Sequence, residues 1–214
     1  MSQRVVHWTR SALSGLVKVV DVGEDRQLML DGSVLSVYAR DGDWTRVRQE
    51  YWGEALDMVC LPPRPTALFV GLGGGTQLHL LRERVTPRHV TAIERDPVIV
   101  QLAQRWFGLG KIPQLEFLCA EASVVVETLR RARRRFDFIM EDCTYDETAE
   151  RSIPLAVSLA RLVSRRGTLI INRHRRLHAR QTAAALAPHF ARIRLRRVRR
   201  EADNILVCAT MPTR

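Results

Sequence analysis

Apolar residues fall into short runs along the chain, and their spacing changes near residue 65. Before it, three runs rich in Val and Leu (16–22, 27–30 and 33–38) are separated by Gly-Glu-Asp at 23–25 and by Asp31-Gly32. Asp-Gly between apolar runs is a strong hairpin signal, because both residues accept positive φ. The first 45 residues therefore read as short strands. Val47, Tyr51, Ala55 and Met58 recur at helical spacing and predict one helix over 46–60. Leu61-Pro62-Pro63-Arg64-Pro65 ends it and acts as a linker.

From Thr66 onward, strand-like and helix-like stretches alternate. Strands are predicted at 67–70, 89–93, 115–119, 136–140 and 167–171. Helices are predicted from the glycine loop to about 84, then over 97–107, 122–133, 154–163 and 177–186. Two last strands, 192–198 and 204–209, are joined by a few residues only, so one of them runs antiparallel. Alternation of this kind implies right-handed crossovers and a parallel sheet covered on both faces. The expected fold class is α/β: a Rossmann-like, seven-stranded, mostly parallel sheet with helices on both faces, preceded by a small N-terminal β region. The expected division is 1–60 for the β region plus helix and 66–214 for the larger unit.

Composition narrows the classes. The 214 residues are 46% hydrophobic and 27% charged, enough to bury a core and unlike a disordered basic tail. No apolar run reaches the 18 or so residues of a membrane helix, and residues 1–10 lack a signal-peptide core. The four cysteines are far apart and form no C-x-x-C pair. Cys119 and Cys208 stand in apolar company and read as buried free thiols, which suits a reducing cytoplasm. The net charge is +11, and 32 of the 34 basic residues are Arg. Residues 151–214 hold 15 Arg and two acids, a net of +13, while residues 1–150 are slightly acidic.

The candidate chemistry lies where strands end. Gly71-Leu72-Gly73-Gly74-Gly75-Thr76 links a buried strand to a helix, and glycines there let backbone approach a ligand. The next strand ends in Glu94, the third in Glu121 and the fourth in Glu141-Asp142. Open α/β sheets bind ligands at strand C-termini, and a carboxylate after the second strand suits ribose hydroxyls. Three successive acidic strand ends favour a nucleoside site over a run of helix starts, although Asp96 is the better helix cap beside Glu94.

Phe69-Val-Gly-Leu-Gly-Gly-Gly-Thr76, Val90-Thr-Ala-Ile-Glu-Arg-Asp-Pro97 and Phe136-Asp-Phe-Ile-Met-Glu-Asp142 together resemble the class I methyltransferase fold, most closely its spermidine synthase branch. Leu28-Met-Leu-Asp-Gly32 is similar to that branch's small β domain. The resemblance covers about residues 15–210. It implies S-adenosylmethionine or its decarboxylated form as cofactor, with the tail against Gly71, Gly73, Gly74, Gly75 and Thr76. It further implies Glu94 on the ribose, Glu121 on the adenine amino group and Asp142 beside the reactive sulfonium. A homodimer is also implied.

The chain departs from this pattern in places. The branch's loop reads G-G-G-D-G-G, and its Asp, which suits a decarboxylated tail ending in an ammonium, falls at Gly74. Charge-paired contacts of that kind are worth about 1.5–3 kcal/mol. A Gln common in the small-domain strand falls at Leu35, and the D-S-S-D loop is here Asp142-Cys143-Thr144-Tyr145, with Asp146 one place later. These departures favour methyl transfer to an amine or other small acceptor over aminopropyl transfer. Asp142 is the candidate to steer and deprotonate the acceptor, with Tyr145 and Asp146 as further candidate catalytic residues. Capping the following helix is the plainer role for Asp142.

Glu141, Asp142, Asp146, Glu147 and Glu150 form either a sink for a cationic substrate or a solvated loop. His174 and His178 lack a third ligand and do not indicate a metal site. Trp52, Trp106 and Phe107 read as packing. On the strand at 192–198, alternation is expected to turn Ile193, Leu195 and Val198 inward and Arg192, Arg194 and Arg196 outward. This Arg-rich face is open to three readings: nucleic-acid phosphate, an acidic patch of a second subunit, or solvent. A nucleic-acid-binding or regulatory module on a degenerate transferase fold is accordingly a further alternative.

Overall fold

In the computed structural model, which describes residues 3–143, 147–199 and 203–213, the N-terminal strands form one antiparallel sheet in the order β1-β2-β3-β4. These are β1 (Gln3–Ser11), β2 (Gly15–Val22), β3 (Asp25–Leu30) and β4 (Ser33–Ala39). Asp31 (φ +46°) and Gly32 (φ +88°) both take the left-handed conformation that joins β3 to β4 in a tight hairpin. The apolar pattern had not marked β1. It is an edge strand whose Val5 and Trp8 are more than half exposed, so no buried face shows in its sequence.

The expected helix over 46–60 is two helices, α1 (Thr45–Arg48) and α2 (Tyr51–Asp57). The break falls at Glu50, which is extended (φ −83°, ψ 171°). Gly53 lies so close to the Arg48 carbonyl that a Cβ there would collide with it. Val47, Ala55 and Met58 are buried as expected, whereas Tyr51 is only partly buried and reaches another part of the chain.

The larger sheet starts in its middle. β5 (Thr66–Val70), α3 (Thr76–Arg84), β6 (His89–Ile93), α4 (Pro97–Trp106) and β7 (Leu115–Leu118) run outward in one direction. After α5 (Ala122–Arg131), the chain returns to the other side of β5 with β8 (Phe136–Glu141), α6 (Ala149–Ala160) and β9 (Val163–Arg173). It ends with α7 (Arg176–Leu186), β10 (Phe190–Arg199) and β11 (Asp203–Pro212). The strand order is β10-β11-β9-β8-β5-β6-β7, parallel except that β11 is antiparallel to both its neighbours. The order reverses between β5 and β8, which opens a crevice at their carboxyl ends.

Two apolar layers sandwich the sheet. Phe69, Phe138 and Met140 pack with Ala55, Leu78 and Leu81 on one face. Leu68, Ile139 and Ile171 pack with Val126, Leu159 and Ala179 on the other. A third cluster joins Val17, Val19 and Leu28 of the small sheet to Ile99 and Leu102 of α4. Asp96 caps α4, accepting from the Val98 N–H and from the Ser11 hydroxyl of β1.

Three expectations need correction. α6 begins at Ala149, not 154, and carries Pro154 inside it. Cys208 is buried but Cys119, the first residue after β7, is exposed; all four cysteines are free thiols. On β10, Leu195, expected inward, is 46% exposed, while Val198, buried as expected, shares a face with Arg192, Arg194 and Arg196, because pairing with β11 runs unbroken from Arg192 to Arg199. That face lies against α2: Arg194 donates to the Met58 carbonyl at 2.6 Å, and Arg196 pairs with Glu54. Among the described residues no helix is long and apolar enough to cross a membrane.

A Gly53→Ala variant is expected to lose about 1–3 kcal/mol of stability in urea unfolding, through overpacking against Arg48. An unchanged midpoint would show that the α1–α2 junction relaxes freely.

Candidate functional site

Gly71 has φ +83°, and a Cβ on it would stand 2.9 Å from the Asp142 carbonyl oxygen and 2.8 Å from Cys143 Cβ. Its lack of a side chain is therefore what lets the glycine loop lie directly against the end of β8. The small sheet holds the other side of the loop. The Gly74 N–H donates to Ser36 Oγ at 2.7 Å, and Thr76 Oγ1 accepts from the Val37 N–H at 2.8 Å and donates to the Val37 carbonyl at 2.9 Å.

A cleft of about 1070 Å³ opens over this loop. Gly71, Gly73, Gly75, Glu94, Glu121 and Asp142 line its sheet side. Gln27, Leu35, Ser36 and Tyr51 line the side from the N-terminal region. Thr76 also borders it, although its hydroxyl is engaged with Val37. Gly74 faces the other way: a Cβ there would lie 2.7 Å from a Phe107 ring carbon and 3.0 Å from Ser36 Cβ. An Asp at this position has no room without moving a fully buried Phe107.

Each acidic strand end has a distinct environment. Glu94 Oε2 accepts from the Leu72 and Gly73 N–H groups at 3.3 and 3.5 Å, and Oε1 from the Asp96 N–H at 3.1 Å. Burial still pushes its carboxyl above the ordinary range, so these long contacts leave it short of donors. Glu121 is exposed at the start of α5 and makes no capping hydrogen bond. Glu141 is wholly buried and pairs with buried Arg173 at 2.6 Å; its second oxygen accepts from the Cys143 N–H.

Asp142 accepts from the Tyr51 hydroxyl at 2.6 Å and from Asn172 Nδ2 at 2.9 Å. Burial raises its pKa to about 6; the two hydrogen bonds hold it down, and neighbouring Glu141 pushes it further up. It does not cap α6, whose N-cap is Thr148. Tyr145 and Asp146 lie outside the described residues, while Glu147 borders the cleft. Among the described residues no group of three metal-binding side chains occurs.

Tyr51, Asn172 and Arg173 complete the arrangement and were not singled out from the sequence as site residues. Asn172-Arg173 had a signal: two polar residues directly after the apolar run Leu169-Ile170-Ile171, at the same edge as the acidic strand ends. Tyr51 had none, being 91 positions from Asp142 and at a spacing that suits a packed helix face.

Two outcomes follow from this electrostatics. Folding raises the Asp142 pKa, so the folded state holds a proton more tightly than the unfolded chain, and stability falls as pH rises from about 4 to about 6. Asp142→Asn is therefore expected to be more stable than the parent at pH 7.5 by about 1–3 kcal/mol, with the difference gone near pH 4 in thermal scans. Arg173→Leu, which strands a buried carboxylate, is expected to cost about 3–5 kcal/mol, and adding Glu141→Leu should recover most of it.

No family model matches the chain. It is 32% identical over 117 residues to the eEF1A lysine and N-terminal methyltransferase of Danio rerio, covering 50% of this chain and 17% of that protein. It is 27% identical over 114 residues to the polyamine aminopropyltransferase of Vibrio vulnificus, covering 51% and 38%. The chain thus spans well under half the length of these curated relatives. Among solved structures it matches spermidine synthase from Thermotoga maritima with a TM-score of 0.72 at 15% identity, over 97% of this chain and 73% of that one. It matches human methyltransferase-like protein 13 in complex with SAH with a TM-score of 0.58 at 24% identity, over 77% and 78%.

Proposed function

We propose that this chain, which has the spermidine synthase-like class I methyltransferase fold, is an S-adenosylmethionine-dependent transferase that methylates an amine-bearing acceptor. The carrying observation is Gly74. Phe107 and Ser36 fill the space where a side chain would stand, so the loop offers no carboxylate to the ammonium of a decarboxylated tail. A tail that keeps its own carboxylate meets no like charge there.

The cleft suits the cofactor. Glu94, desolvated and short of donors, is matched by a pair of ribose hydroxyls. Glu121 would take the adenine amino group, and the backbone of Gly71, Gly73 and Gly75 the tail. When bound, the cofactor supplies a methyl group on a cationic sulfur, which leaves with the bonding pair as a neutral thioether.

The chain's own task is alignment and proton transfer. Asp142 is ionised at neutral pH, grips the incoming amine and takes its proton as the nitrogen–carbon bond forms. Tyr51 and Asn172 fix its two oxygens. Arg173 and Glu141 hold the strand ends beneath it. Tyr145 and Asp146 belong to the acceptor side in this reading. Aminopropyl transfer to a diamine is the second reading, favoured by the similarity to the Vibrio aminopropyltransferase. The same reading takes residues 1–60 as a small β unit and 66–214 as the cofactor-binding unit. It also takes the protein to act in the cytoplasm as a homodimer.

Calorimetry with both cofactors separates the readings: S-adenosylmethionine is expected to bind at least about tenfold more tightly than its decarboxylated form, a difference of about 1.4 kcal/mol. Tighter binding of the decarboxylated form would reverse the assignment. The rate of methyl transfer is expected to fall as pH drops through about 6, as Asp142 takes up a proton, and to be lost in Asp142→Asn. A rate that is flat between pH 5 and 8 would remove Asp142 as the base.

A further inference from the structure

Three arginines of the C-terminal third border a second cavity. It measures about 590 Å³ and lies between the start of α7 and the last two strands. His174, Arg176, Arg180, Arg197, Leu195 and Ile205 line it. Among the described residues no carboxylate lines it. His174 also lines the main cleft, as does Asn204 beside Ile205, so the two spaces adjoin. Both sit at the sheet edge where β9 ends and Asn172 holds Asp142.

The charge here is locally unfavourable. Arg175 and Arg176 open α7, where the helix dipole repels cations, and the first turn holds no acid. Arg176 and Arg180 stand one helical turn apart, are exposed, and pair with no carboxylate among the described residues. An anion in the cavity would relieve the Arg–Arg repulsion and complement the dipole together. A small diamine gains nothing from such a neighbour, since like charge would expel it.

The surroundings point to polypeptide. Leu195 is 46% exposed and Leu177 is 65% exposed beside the arginines, and among the described residues no Phe, Tyr or Trp lines the cavity to stack a base. β10 is the outer strand of the sheet, with β11 as its one partner, so extended backbone can lie along it.

We infer that an acidic segment of a polypeptide acceptor docks in this cavity, its carboxylates on Arg176 and Arg180, and presents a neighbouring amine to Asp142. The inference rests on the transferase reading above and names its substrate class. Arginine forks bind carboxylates in paired, charge-assisted hydrogen bonds, which gives the docking its selectivity.

The test uses a fluorescein-labelled peptide of nine residues, a central Lys flanked on both sides by Glu and Leu, and a control with Gln for every Glu. Fluorescence anisotropy is expected to show the acidic peptide binding at least about tenfold more tightly than the control. That preference should shrink with added salt and disappear in Arg176→Glu/Arg180→Glu. Arg180→Gln is expected to lie between, and circular dichroism confirms that each variant is folded. Equal affinity for both peptides, or a preference that survives in the double variant, would overturn the inference. So would a single-stranded RNA of matched charge that displaces the peptide and binds more tightly. Calorimetry with S-adenosylmethionine on the same samples keeps the two readings apart. Cofactor binding without peptide discrimination sinks only the docking site; peptide discrimination without cofactor binding sinks the transferase and leaves the site standing.

Discussion

The buried Glu141–Arg173 pair is the constraint on which the sheet edge depends. Both side chains are almost wholly removed from water, and a charge there persists only because its partner neutralises it. The pair ties the end of β8 to the end of β9. Glu141 also accepts from the Cys143 N–H, which sets the direction in which the chain leaves β8. Asp142 is thereby turned toward the cleft, and Asn172 is brought within hydrogen-bond distance of it. The pair's guanidinium is not fully satisfied: Arg173 Nε and Nη2 are buried without a hydrogen-bond partner among the described residues. That cost is borne where the chain must keep charged groups close to Asp142.

The N-terminal region is structurally part of the site. Ser36 and Val37 of β4 grip the glycine loop, and Tyr51 crosses from α2 to Asp142. The loop's glycines thus answer to two demands. Gly71 clears the backbone of Asp142 on one side, and Gly74 clears Phe107 and Ser36 on the other. A glycine that makes room for a neighbouring side chain and one that makes room for a ligand look identical in sequence, which is why the departure from a G-G-G-D-G-G loop acquires its physical reason only in three dimensions.

The arginine excess separates into parts with different roles. Arg173 is internal, and Arg194 and Arg196 bind α2. Arg176, Arg180 and Arg197 gather at a cavity beside the cleft. Net charge alone therefore says little about partners here; what matters is where the fold places each arginine.

Periodicity was sufficient for the order of strands and helices from residue 66 onward, because parallel strands buried on both faces are continuous apolar runs and amphipathic helices repeat on one face. The acidic strand ends and the Asp31-Gly32 hairpin were legible for equally local reasons. β1 was hidden because an edge strand buries little. The break between α1 and α2 was hidden because the extended Glu50 interrupts a continuous helical spacing, and the close approach of Gly53 to Arg48 shows only in three dimensions. The face taken by Val198 followed from an unbroken register that alternation counted from Ile193 had already implied. What only the tertiary structure decided is which distant residues meet: Tyr51 with Asp142, Ser36 with Gly74, Glu141 with Arg173. A sequence pattern records each residue's own preference for water or for apolar surroundings. A hydrogen bond or ion pair between residues 32 to 91 positions apart depends on where two elements come to rest, and no local preference encodes that.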